Sequence, residues 1–181
     1  MAATLFERQM AMYTTYHRDH RNRVTHFFGI PAIILSLMLA LALARIGLGP
    51  ATVSLALLVS AAVWLLWIWL DRPIGLALGL FMLPALGLAE WIVATQGSRV
   101  VWVAFAVLFV GGWALQLLGH VFEGRRPALV SNLFQALVGP MFLAAEVFFA
   151  LGLRRDVKDR VERVIRETYP PAPGGAVRPR T

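Results

Sequence analysis

Five apolar blocks alternate with short polar, arginine-bearing stretches, over residues 27–44, 51–70, 74–94, 100–118 and 129–153. Each holds about the 20 residues a helix needs to cross roughly 30 Å of hydrocarbon. The breaks between them read as turns, Asp71-Arg72-Pro73 after the second block and residues 96–99 after the third. The fifth block is interrupted by Gly139-Pro140 and carries Asn132, Gln135 and Glu146. It predicts a bent or re-entrant path turning at that pair, shielded by protein as such backbone must be. In residues 4–21, Phe6, Met10, Tyr13 and His17 share one helical face; after Leu153, Val157, Val161, Val164 and Ile165 do the same. Both segments read as amphipathic interfacial helices. Thr25 and Pro31 fit an N-cap and an early turn of the first block's helix. The WLLWIWL run closing the second block fits an interfacial aromatic belt, and Glu90 a carboxylate that snorkels to the surface. The expected fold class is all-α: a multipass transmembrane helical bundle with four spans, a fifth bent or re-entrant apolar segment and amphipathic terminal helices. One membrane-embedded catalytic domain is expected over 1–155, then an amphipathic helix and a disordered tail over 156–181.

Charge orients this arrangement. With four spans, the segment before the first and the segment after the fourth lie on one side. That side then holds Arg8, Arg18, Arg21, Arg23, Arg72, Arg125 and Arg126, against Arg45 and Arg99 on the other. The seven-to-two split puts the N-terminus in the cytoplasm. Eight further basic residues follow from Arg154; they reinforce the split only if the fifth block does not cross. Residues 1–26 lack a short apolar run before a small-residue cleavage site and predict no cleavable signal peptide.

Composition agrees and narrows the chemistry. The chain is 59% hydrophobic and only 15% charged, against about 25% charged in soluble domains. The absence of cysteine excludes disulfides, thiolate metal sites and cysteine nucleophiles. The net charge of +7 is read as arginine meeting lipid head groups, and no nucleic-acid partner is expected.

Against this background the four histidines stand out, because all flank apolar blocks. His17, His20 and His26 precede the first, and His120 follows the fourth. An even number of crossings brings the two groups to one membrane face, where they can share a metal. His17 and His20 are i, i+3, whereas His26 is nine residues after His17 and half a turn out of phase on a continuous helix. A joint site therefore requires a break near residues 22–25. His120 and Glu123 are again i, i+3, with Gln116 one turn earlier on the same face. Histidine and carboxylate at this spacing occur in helix-bundle iron sites, and neutral imidazole with carboxylate suits iron(II) or zinc. Glu146, ionisable inside an apolar block, is a functional candidate; it could meet Arg125 or Arg126, reach the metal, or form a structural ion pair. The residues alone leave open a metal-dependent enzyme and a non-catalytic membrane protein with interfacial histidines.

The stretches YHRDHRNRVTHFFGIP and LLGHVFEGRRPALVSNLFQAL, the latter followed by a proline and then Glu146, resemble the two signatures of the small multipass 2-hydroxy-fatty-acid dioxygenases. The motifs are H-x4-N-x3-H before the first span and GH-x-FE-x-RRPAL after the fourth, and the resemblance covers residues 8–155. It implies an Fe(II)-dependent enzyme that uses O2 to shorten a 2-hydroxy fatty acid by one carbon. It also implies His17, His26 and His120 as ligands, with Asn22, Glu123, Arg125, Arg126, Pro127 and Glu146 at the other recurring polar positions. The position of His20, a candidate ligand by spacing, is not usually histidine in that pattern. Arg125 or Arg126 is expected to grip the substrate carboxylate, and Glu123 to orient or complete the ligand set. The alternatives are a zinc-dependent lipid hydrolase and the non-catalytic membrane protein.

Overall fold

The computed structural model describes residues 2–124 and 134–169. Arg125, Arg126, Pro127, Asn132, the start of the fifth block and the tail from Pro170 lie outside the described residues. The elements are α1 (Leu5–Tyr16), α2 (His20–Ala42), β1 (Arg45–Leu48), β2 (Ala51–Ser54), α3 (Leu55–Leu70), α4 (Arg72–Thr95), α5 (Ser98–Glu123), α6 (Gln135–Ala150) and α7 (Arg155–Thr168). The fold is all-helical apart from the antiparallel hairpin, in which Arg45 faces Ser54 and Leu48 faces Ala51.

Helices α2, α4 and α5 are long and apolar enough to cross a membrane. Their outer faces expose Leu80, Val107 and Val110, a surface suited to lipid. The second block departs from expectation: its first four residues form β2, which leaves α3 only 16 residues, about 24 Å. It still runs the length of the bundle. Ser54 caps its start and bonds Glu90 near the end of α4, while Trp67 near its finish donates to the Leu137 carbonyl of α6 (2.8 Å). Glu90 also pairs with Arg45 at 2.8 Å, so this carboxylate fastens the hairpin to α4. The tryptophans do not form a uniform belt. Trp69 faces outward, but Trp64 donates to the Gly75 carbonyl and Trp67 is buried.

Helices α2 and α5 form the largest interface. Small residues permit it: a Cβ at Gly112 would lie 3.0 Å from the Gly29 carbonyl oxygen, and one at Gly119 would overlap Thr25 Oγ1 and Asn22 Oδ1. The pair runs antiparallel, which brings the start of α2 against the finish of α5. The helix break falls earlier than the spacing suggested. α1 stops at Tyr16, and α2 begins at His20 behind an Asp19 N-cap whose carboxylate accepts the Arg21 N–H (2.8 Å). Thr25 and Pro31 therefore lie inside α2, and residues 17–19 make the break.

In the fifth block Gly139-Pro140 sits within α6, and the chain turns at residues 151–154 instead. Gly152 and Arg154 adopt left-handed backbone there, and α6 and α7 diverge by 118°. Both ends of α6 contact the same end of the bundle. Gln135 bonds Gln9 of α1, Glu146 pairs with Arg23 of α2, and Arg154 forms a two-pronged pair with Asp71 at the α3–α4 turn (2.7 and 2.8 Å). Helix α6 thus lies across the histidine-bearing end. α7 covers α1 through Val157 and Val161.

This topology is testable because the protein contains no cysteine. Single cysteines at Arg72 and Arg155 are expected to react with a membrane-impermeant maleimide from the same side of sealed vesicles. A cysteine at Gln96 is expected to react only from the other side. Arg155 and Gln96 labelling together would mean that α6 crosses.

Candidate metal centre

Three helix termini converge at the covered end of the bundle. His17 lies in the α1–α2 break, His26 two turns into α2 and His120 in the last turn of α5. All three are buried, at 3%, 2% and 7% exposure. Each offers a ring nitrogen, and the three nitrogens lie within 4.8 Å of one another. The rings meet edge to face, with centroids 4.6 Å apart for His17–His26 and 5.1 Å for His120 with either partner. Tyr13 stacks on His17 at 3.9 Å, and Phe142 of α6 closes over both.

The hydrogen bonds fix which nitrogens are available. His17 Nδ1 lies 2.8 Å from the Tyr13 carbonyl oxygen and His26 Nδ1 2.9 Å from that of Asn22. A carbonyl only accepts, so both Nδ1 atoms carry the proton and both Nε2 atoms carry a bare lone pair. Those two Nε2 atoms face each other at 3.1 Å. Burial, outweighing the bond to the Tyr13 carbonyl, lowers the pKa of His17 to about 4, so its ring is neutral at pH 7. His120 Nδ1 is buried without a hydrogen-bond partner among the described residues. Lone pairs held face to face in a buried site are unfavourable without a cation to share. Two ligands at right angles, each about 2.1 Å from one ion, would be separated by about 3.0 Å. The donor set therefore fits a metal. Neutral imidazoles accommodate zinc, iron, copper or nickel and do not distinguish among them.

Glu123 supports this centre without touching a histidine ring. Its carboxylate accepts the backbone N–H groups of Arg18 (3.0 Å) and Asp19 (2.7 Å) and the Asn22 side-chain amide (3.2 Å). The last residues of α5 thereby hold the break that presents His17. Asn22, fully buried, also donates to the Tyr16 carbonyl (3.4 Å) and supplies the carbonyl that orients His26.

The other candidates lie elsewhere. His20 is exposed in the first turn of α2, apart from the cluster. Glu146 pairs with Arg23 at 2.8 Å rather than joining the histidines. The partners of the His17 and His26 Nδ1 atoms are main-chain carbonyls, which no residue pattern announces. Tyr13 had been visible only as a neighbour on the His17 face.

An apolar cavity of about 360 Å³ opens beneath the cluster. Its walls are Ile33, Ile34, Leu37, Met38 and Leu41 of α2, Val59 and Val63 of α3, Phe109 and Trp113 of α5 and Ala136, Leu137, Gly139 and Pro140 of α6. Gln116, Ser60 and Gln135 are the polar groups near it other than the histidines and Tyr13.

The family described as 2-hydroxy-palmitic acid dioxygenase Mpo1-like matches residues 3–151. The 2-hydroxy-palmitic acid dioxygenase MPO1 of Saccharomyces cerevisiae is 33% identical over 156 residues, covering 85% of this chain and 86% of its own length. No solved structure matches.

Metal analysis of variants tests the geometry. His17→Ala, His26→Ala and His120→Ala are each expected to abolish stoichiometric metal binding, and His20→Ala to leave it intact. Glu123→Ala releases the His17 segment and is expected to weaken metal affinity about 10- to 100-fold, the range typical of residues that orient ligands. Equal metal loss in His20→Ala would contradict this arrangement.

Proposed function

The chain belongs to the Mpo1-like family of 2-hydroxy-palmitic acid dioxygenases, and on that premise we propose that it shortens a membrane-borne 2-hydroxy fatty acid by one carbon with iron(II) held by His17, His26 and His120. It is an oxidoreductase whose reaction takes a fatty acid and O2. The observation that carries the reading is the buried pair of bare Nε2 atoms, 3.1 Å apart, at the head of an apolar cavity.

The choice of iron follows from the reaction. Zinc has no redox chemistry to offer O2, whereas iron(II) in an imidazole set with open positions does. Bound iron(II) would supply the activation of O2 needed to break the C1–C2 bond. A hydrolase would instead want a free carboxylate as base beside the metal. Among the described residues no carboxylate joins the cluster, and Glu123 is occupied by three donors.

The protein's own residues position the substrate. The acyl tail lies between α2, α3 and α5. From His26 to Leu41 the α2 wall spans fifteen residues, about 22 Å. An extended sixteen-carbon chain needs about 20 Å, at about 1.3 Å per carbon for bonds of about 1.5 Å. Arg125 and Arg126, which follow Glu123-Gly124 in the chain, are assigned to the substrate carboxylate, for which a guanidinium offers a two-pronged fork. Asn22 and Glu123 are positioning residues for His26 and His17. Glu146, through Arg23, holds α6 over the site and keeps bulk water out. The charge distribution supports a cytoplasmic N-terminus and metal centre, since only Arg45 and Arg99 fall at the far end.

The test is metal content linked to product. Protein purified anaerobically in detergent is expected to hold about one iron per chain and, given 2-hydroxypalmitate and oxygen, to release a C15 fatty acid. Both properties are expected to disappear in His120→Ala. A zinc-loaded protein without oxygen consumption would refute the assignment.

A further inference from the structure

Gln116 is a polar group in the cavity wall whose burial the centre described above leaves unexplained. Its side chain is 7% exposed, and its Nε2 is buried with no hydrogen-bond partner among the described residues. A buried amide donor without a partner is uncommon and unfavourable, and here it lines a mostly apolar wall. The carboxamide is also held in place. It sits in the space left by Gly29 on α2, where an added Cβ would come within 2.5 Å of Nε2. The fold has made room for this amide and, among the described residues, supplied nothing for its Nε2 to bond.

Position suggests what does. Gln116 lies four residues before His120 on the same face of α5, about 6 Å along the axis. Since α5 runs toward the metal centre, Gln116 is on the tail side of His120. An acid with its carboxylate at the metal and its tail down the cavity has C2 as the next carbon on that side. Resting on the proposed function above, we infer that Gln116 is the substrate-binding residue that recognises the 2-hydroxyl group. Its Nε2–H donates to the hydroxyl oxygen and its Oε1 can accept the hydroxyl proton. A carboxamide matches this neutral donor–acceptor group, while an unhydroxylated acid would leave the amide unpaired. Through this contact the enzyme discriminates 2-hydroxy acids from unhydroxylated fatty acids.

Binding can be read without turnover. The metal-loaded protein is titrated anaerobically in detergent with 2-hydroxyhexadecanoate and with hexadecanoate. The signal is tryptophan fluorescence, since Trp67 and Trp113 both line the cavity. Wild type is expected to prefer the hydroxy acid at least tenfold. Gln116→Met, of similar size and without an amide, is expected to reduce that preference about tenfold, with hexadecanoate affinity and bound metal unchanged. Gln116→Asn, which withdraws the amide by one methylene, is expected to do the same and serves if the Met variant does not fold. An unchanged preference in either folded variant overturns the assignment and leaves the dioxygenase reading standing. If wild type binds neither acid, both readings fall together.

Discussion

Two imidazole lone pairs pointed at each other in a buried site are the constraint on which this molecule depends. Protonation is disfavoured at His17 by burial. The backbone prevents the rings from escaping it, because each Nδ1–H is committed to a carbonyl of the turn before it. A shared cation resolves the arrangement, and the remainder of the fold can be read as the means of holding these nitrogens in place.

Three devices do so. The antiparallel α2–α5 contact, made close by Gly29, Gly112 and Gly119, sets His26 against His120. Glu123 then reaches from the finish of α5 to the N–H groups of Arg18 and Asp19, fixing the break that carries His17. Finally α6 lies over the end of the bundle, with Phe142 against His17 and Tyr13 and ion pairs to Arg23 and Asp71 at one end. The same helix supplies part of the cavity wall, so the element that shields the centre also shapes the tail site.

Much of this was legible in the chain. Hydrophobic block length and the parity of crossings brought all four histidines, His20 included, to one side, and only the resemblance carried by the H-x4-N-x3-H and GH-x-FE motifs singled out His17, His26 and His120. What escaped detection was local competition. The break fell at residues 17–19 because Asp19 caps α2 better than Thr25 does and Glu123 satisfies the exposed N–H groups; a contact across 104 residues leaves no trace in local periodicity. Pro31 and Pro140 did not mark helix boundaries, since apolar packing around α2 and α6 tolerates a missing N–H. The hairpin drew residues 51–54 out of a run that composition alone assigns to helix. Glu146 found Arg23, a partner 123 residues away.

The ligands are also separated in time of synthesis. His17 and His26 are synthesised before α5, whereas His120 lies in the last turn of that helix, 103 residues after His17. A nascent or truncated chain that stops short of α5 therefore carries two imidazoles and no third, and lacks the Glu123 that fixes the first. A metal held by all three histidines would have to wait until α5 has paired with α2. An ion that needs all three ligands would thus meet the polypeptide only after the apolar walls of α2 and α5 are in place.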